Sequence, residues 1–120
     1  MTPQDRVSTN RLNGLNAELR VAENYQRCGF TLLQKRFRTQ GGEIDLIFKH
    51  DQKLYFIEVK RATTLDVAHG YLTHHQMDRM QKTILAYLEK EGLPLETEMR
   101  VDAALVDAQN RVKVIPNILH

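Results

Sequence analysis

Two short segments near the middle of the chain hold the residues best suited to chemistry. Gly42-Glu43-Ile44-Asp45-Leu46-Ile47 sets Glu43 and Asp45 two places apart, and Tyr55-Phe56-Ile57-Glu58-Val59-Lys60 does the same for Glu58 and Lys60. Side chains of a β-strand alternate between its faces, so each pair shares one side of its strand. The second segment follows the first at hairpin distance, which lays the strands side by side and lets Asp45, Glu58 and Lys60 meet. Carboxylates are the hard oxygen donors that Mg2+ or Mn2+ prefers. A bare acid-x-Lys pattern is a weak signal, and Asp51-Gln52-Lys53 repeats it in a turn. What distinguishes Glu58-Val59-Lys60 is that it closes an apolar strand, where unpaired charge is costly. Spacing alone leaves a second reading open: a cross-strand salt bridge from Asp45 or Glu58 to Lys60, of the kind surface sheets carry.

The elements that must position these residues are legible as periodicities. From Arg11 to Arg27, Leu15, Leu19, Ala22 and Tyr25 or Gln26 recur at helical steps, with Gly29 placed to end the helix. Glu18 lies one helical step from Leu15 and Ala22 and is expected to face the sheet. Phe30 to Phe37 predicts a short strand, followed by the flexible joint Gly41-Gly42. Glu43–Lys49 and Leu54–Lys60 form a hairpin over the turn His50–Lys53, and residues 61–72 form a loop. Thr73 with Gln76 is a capping box for a helix whose face carries Met77, Met80, Ile84, Tyr87 and Leu88, ending at Gly92 and Pro94. Val101–Val106 and Val112–Ile115 complete the order α, β, β, β, α, β, β. That order gives an α/β domain with a mixed central β-sheet flanked by helices.

Composition narrows the class. The chain has 120 residues, enough for a single domain spanning 1–120, with the polar residues 1–10 expected to be flexible. Seventeen basic residues against fifteen acidic give a net charge of +2, which excludes a polycation. The basic excess falls early: residues 1–40 hold seven basic residues against three acidic. The lone Cys28 excludes an intrachain disulfide framework and a Cys-rich zinc site, and is expected on the buried side of the first helix. His74 and His75 are adjacent, not in the His-x-x-x-His spacing of a zinc helix. His50 in the turn and His120 at the end have no evident partner. No apolar run approaches the ~20 residues of a membrane span, and MTPQDRVSTN lacks a signal-peptide core, so a cytoplasmic protein without a membrane partner is expected.

GGEIDLI followed by FIEVK resembles the PD-(D/E)XK nuclease superfamily, and most closely the YraN-like family of bacterial proteins. The resemblance extends from Gly14 to Asp107, through Glu18 in the first helix, the long helix Thr73–Leu88 and the strand motif Arg100-Val101-Asp102. It implies a restriction-endonuclease-like fold and metal-dependent hydrolysis of phosphodiesters in DNA, including branched or repair-intermediate DNA. By that resemblance Asp45, Glu58 and the Val59 carbonyl hold Mg2+ or Mn2+. Lys60 orients the attacking water or stabilises the transition state, and Glu18 adds an outer ligand. Glu43 reads as a structural or supporting acid. The family usually carries an Arg two places after the Lys and a basic residue early in the long helix; here Ala62 and Gln76 stand at those places, with Arg61 next to Lys60. Arg36, Arg38, Arg61 and Gln76 are the expected nucleic-acid contacts. The archaeal Holliday junction resolvases are similar in arrangement and imply a homodimer. The competing class is a nuclease fold that binds nucleic acid, DNA more than RNA, without cutting it.

Overall fold

The computed structural model describes residues 16–64 and 73–119. Helix α1 runs through residues 16–27. Strands β1 (Thr31–Thr39), β2 (Gly42–His50) and β3 (Lys53–Arg61) follow, then helix α2 (His74–Lys90) and strands β4 (Met99–Val106) and β5 (Val112–Ile115). The five strands form one sheet in the order β1-β2-β3-β4-β5. β1, β2 and β3 pair antiparallel, β3 and β4 parallel, and β4 and β5 antiparallel. The parallel pair requires a crossover, and α2 lies within it. The expected mixed sheet flanked by helices is thus present, with one helix on each face. No helix among the described residues is long and apolar enough to cross a membrane.

Strand β3 is central, and Leu54, Tyr55, Phe56 and Ile57 are all buried because both of its faces are covered. On one face Tyr55 and Ile57 join Leu46, Phe48, Ala104 and Val106 beneath Ala17, Val21, Ala22 and Tyr25 of α1. On the other, Leu54 and Phe56 join Ile44, Ile47 and Val101 beneath Met80, Ile84, Tyr87 and Leu88 of α2. Both helices end alike. Gly29 (φ +89°) and Gly92 (φ +66°) adopt the left-handed conformation. The following amides, Phe30 N–H and Leu93 N–H, then reach back to the carbonyls of Tyr25 and Leu88. The capping box at Thr73 and Gln76 forms in both directions.

A buried network ties α1 to the sheet. Asp102 in β4 is fully buried and accepts from Tyr25 Oη at 2.7 Å, from Arg100 Nε and Nη2 at 2.8 and 2.9 Å, and from the Asn117 amide at 3.1 Å. Burial, and then the bond to Asp102, raise the Tyr25 hydroxyl pKa above its ordinary value.

Several expectations are corrected. The buried stripe of α1 is Ala17, Val21, Ala22 and Tyr25, whereas Leu19 is 48% exposed and Gln26 is exposed. Small side chains on the inner face let the helix lie close to the sheet, so the larger leucine turns outward. Cys28 is exposed, because it caps the C-terminus of α1 and does not sit on its inner face. His50 does have partners: its ring stacks on Phe30 at 4.3 Å, and Nδ1 lies 3.6 Å from Asp51. β1 extends to Thr39, past the expected end at Phe37, through the basic stretch. The two-residue turn Asp51-Gln52 has positive φ at both positions, the geometry that suits the twist of a hairpin. The expectations for residues 1–10 and for His120 lie outside the described residues, as do most of the expected loop 61–72 and the part of the expected first helix from Arg11 to Leu15.

Gly41-Gly42, expected as a flexible joint, instead divides between a tight turn at Gln40-Gly41 and the first residue of β2, Gly42, which packs on α2. A Cβ on Gly42 would lie 2.8 Å from Thr83 Oγ1 and 3.4 Å from the Arg79 carbonyl oxygen. Gly42→Ala is therefore expected to cost about 1–3 kcal/mol by overpacking. The cost should shrink in a Thr83→Ala background, because the two side chains compete for one space. Urea unfolding of the four proteins of this cycle measures it, and strictly additive costs would contradict the contact.

Candidate metal centre

The site begins with a gap in the sheet. The β2–β3 ladder runs from His50↔Lys53 to Leu46↔Ile57 and stops before Asp45. Opposite, the β1–β2 ladder omits the Arg36–Asp45 pair, and Arg36 takes a left-handed backbone (φ +54°) rare for a side chain of its size. Where the strands part, Asp45 Oδ2 accepts the Val59 backbone N–H at 2.7 Å. A carboxylate thus replaces a strand carbonyl and is fixed between β2 and β3, next to Glu58.

Four elements converge on this gap. Glu18 lies three and four residues before Val21 and Ala22, which places it on the flank of the buried face of α1. Among the described residues, Glu18, Glu43 and Asp45 bring one carboxylate oxygen each to within 4.8 Å of one another. Glu58 lies close enough to Asp45 for its charge to raise the Asp45 carboxyl, and its Oε1 is 3.3 Å from Lys60 Nζ. A cleft of about 470 Å3 opens beside them between the β1–β2 turn and α2, with Gln76, Arg79 and Met80 on the helical side.

Crowding carboxylates in a partly dry place is electrostatically unfavourable. Burial first, then the Glu58 charge, push the Asp45 carboxyl from 3.8 up to about 8, against the stabilising Val59 N–H. Glu18 and Glu43 push the same way. Glu58 is also raised by burial, with Lys60 opposing. Sites where burial and like charge converge on a titratable group are candidate functional sites. The donor set is oxygen only and anionic, which suits a hard divalent cation.

The cations around the acids are mostly engaged. Arg36 Nε donates to Glu18 Oε2 at 3.1 Å, and Arg38 Nε to Glu43 Oε2 at 2.7 Å. Arg61 Nη1 donates to Asn110 Oδ1 at 2.9 Å, away from the acids. Gln76 serves the helix cap and lines the cleft. Asp45, Glu58, Lys60 and Glu18 are thus brought together as expected, and Val59 meets Asp45 through its N–H. Glu43, expected as a supporting acid, stands in the three-carboxylate group itself. Arg79 was not anticipated from sequence. It follows Gln76 by three residues on the face that carries Met80 and Thr83. Its guanidinium makes no hydrogen bond or ion pair among the described residues. The helical spacing from Gln76 was the signal that could have found it.

The model of the uncharacterised protein family UPF0102 matches residues 17–106, from α1 through β4. A UPF0102 protein of Dinoroseobacter shibae is 36% identical over 115 residues, covering 96% of this chain and 86% of its own length. One of Cereibacter sphaeroides is 40% identical over 104 residues, covering 87% of this chain and 89% of its own length. One of Rhodopseudomonas palustris is 33% identical over 103 residues, covering 86% and 79%. The matched segment contains every residue of the acidic cleft, and on this breadth of similarity the chain belongs to the UPF0102 family, the YraN-like group that its central motifs resemble.

Proposed function

We propose that the protein is a nuclease of the PD-(D/E)XK superfamily with a restriction-endonuclease-like fold, hydrolysing phosphodiester bonds in DNA with Mg2+ or Mn2+. The observation that carries this reading is the gap between β2 and β3, where Asp45, Glu58 and Lys60 gather beside Glu18 and Glu43 at the mouth of one cleft. Asp45 and Glu58, with the other carboxylates and the Val59 carbonyl in support, would hold the divalent ion. Such an ion, when bound, polarises the scissile phosphate and lowers the pKa of a coordinated water. Lys60, fixed against Glu58, is placed to orient a nucleophile or to stabilise charge developing on the phosphate. Arg79 reaches the same cleft from α2 and offers a guanidinium to a backbone phosphate. It thereby supplies the positive charge that Ala62 and Gln76 do not.

A second reading, nucleic-acid binding without cleavage, is favoured by one feature: Arg36 and Arg38 already neutralise Glu18 and Glu43. The two readings separate in an assay of purified protein with Mn2+ on single-stranded, flapped and four-way-junction DNA. A nuclease cleaves at least one of these, and Asp45→Ala and Lys60→Ala each slow cleavage by about 10²-fold or more. Arg79→Ala weakens DNA binding and lowers its salt dependence while leaving Mn2+ affinity unchanged. Cleavage that persists undiminished in the Asp45 and Lys60 variants would assign it to a contaminant. Salt-dependent binding with no turnover would favour the second reading.

The raised Asp45 pKa sets the pH behaviour. Its folded value, about 8, lies above the ordinary 3.8, so the folded state binds this proton more tightly than the unfolded chain. That contribution to stability is complete below the unfolded value and is lost as pH rises through about 8. In EDTA, Asp45→Asn is accordingly expected to leave stability little changed at low pH and to raise it above the folded pKa, because the amide oxygen can still accept the Val59 N–H. A loss of stability at alkaline pH would contradict this. Calorimetric titration of Mn2+ should show affinity increasing with pH up to the same range, as binding displaces the Asp45 proton. A pH-independent affinity would rule out the cleft as the binding site.

A further inference from the structure

We propose that a second hollow, on the α1 face and independent of the acidic cleft, is a binding pocket for a nucleoside monophosphate. It opens between α1 and the β4–β5 side of the sheet with a volume of about 610 Å3, and it shares no lining residue with the acidic cleft. That volume falls within the range of small-ligand sites, roughly 300–1,000 Å3.

Arg20, Arg27 and Arg100 line the hollow, and no carboxylate does so among the described residues. The three guanidinium groups are held differently. Arg100 is bound through both Nε and Nη2 to Asp102 and lies 4.7 Å above the Tyr55 ring, so it is a fixed wall whose charge is already balanced. Arg27 donates to the neutral Asn24 Oδ1 at 2.7 Å and to the Glu23 backbone carbonyl at 3.4 Å. Arg20 makes no hydrogen bond or ion pair among the described residues. The nearest acid on the helix, Glu23, shares a neighbouring hollow with Arg20 but forms no ion pair among the described residues. Two guanidinium groups therefore stand at the rim without a carboxylate bound to either among the described residues. Arg20, Asn24 and Arg27 follow one another by four and three residues, which aligns their heads along one stripe of α1 spanning roughly 10 Å at ~1.5 Å per residue.

The interior is apolar and aromatic. Tyr25 and Phe30 meet edge to face at 5.2 Å, and Val114 of β5, 38% exposed, lies on the far wall. A ligand that satisfies both parts carries a compact anion at one end and a flat ring at the other. Guanidinium groups bind phosphate in two-pronged fashion and also stack on planar rings, so Arg20 and Arg27 can take a phosphate while a base packs against Val114 and the part of Phe30 that His50 leaves uncovered. Inorganic phosphate alone would leave the apolar wall uncovered. A cation would be repelled.

An amide chemical-shift titration of the full chain with AMP in EDTA tests the proposal; with divalent ions removed, the acidic cleft plays no part. Saturable shifts are expected at Asn24, Cys28, Phe30 and Val114, with none at Gly42, Asp45 or Glu58. Arg20→Gln with Arg27→Gln, both exposed positions, should weaken the affinity by about tenfold or more. The proposal is overturned by the absence of saturable shifts, by shifts centred on the acidic cleft, or by an unchanged affinity in the double variant. Inorganic phosphate giving the same shifts at the same affinity would also overturn it, reducing the pocket to a simple anion contact.

Discussion

The hydrogen bond from the Val59 amide to Asp45 is where backbone geometry and electrostatics meet. A regular antiparallel ladder would have paired β2 and β3 to their ends and turned these acids to solvent. Instead the strands separate after Leu46 and Ile57, and a carboxylate satisfies the backbone donor that the missing partner leaves behind. Buried N–H groups must find an acceptor, so the opening of the sheet and the placement of Asp45 are one event. The neighbouring carboxylates owe their proximity to it. Glu58 is one residue before Val59, and Glu43 is two residues before Asp45, where β2 changes phase between Ile44 under α2 and Leu46 under α1.

The surroundings are built to withstand the resulting repulsion. α1 delivers Glu18, and its position is fixed from beneath by Tyr25 bound to Asp102 and stacked on Phe48. On the opposite face, Gly42 brings the β1–β2 turn against α2 more closely than any side chain would permit. The acids are therefore held by two packed layers that cannot easily relax apart. Arg36 and Arg38 offset part of the charge, Arg36 by adopting a backbone conformation that strands avoid. Strain of this kind collects at functional sites when the surrounding structure over-determines it. Here the hairpin on one side and the basic edge strand on the other provide that constraint.

Much of this was legible in the residues, because it rests on local periodicity. The alternation in FIEVK placed Glu58 with Lys60, and the capping box marked the start of α2. In GEIDLI the alternation breaks at Asp45, with Ile44 under α2 and Leu46 under α1, so Glu43 meets Asp45 through an irregularity that spacing does not show. The phase of α1 was not legible. Leu15, Leu19 and Ala22 keep helical time as well as Ala17, Val21 and Ala22 do, and only close approach to the sheet selects the smaller set. The conformation of Arg36 carries no glycine or asparagine to announce it. Tyr25 and Asp102 are 77 residues apart, so no local pattern could join them. Arg79 stands one helical turn after Gln76, and only that spacing ties it to the cleft. Positions decided by long-range packing or by an interrupted ladder are the ones that sequence spacing leaves undetermined.

The central claim is that the gathered carboxylates form one divalent-cation site. Paramagnetic broadening of backbone amide signals by substoichiometric Mn2+ tests this most directly, since the effect falls steeply with distance from the ion. The account predicts that Gly42 to Asp45 and Glu58 to Lys60 broaden first, while Gly92 and Leu93, past the end of α2 remote from the cleft, stay sharp. Broadening spread evenly over exposed acids such as Glu89 and Glu96, with the Asp45 region unaffected, would contradict it.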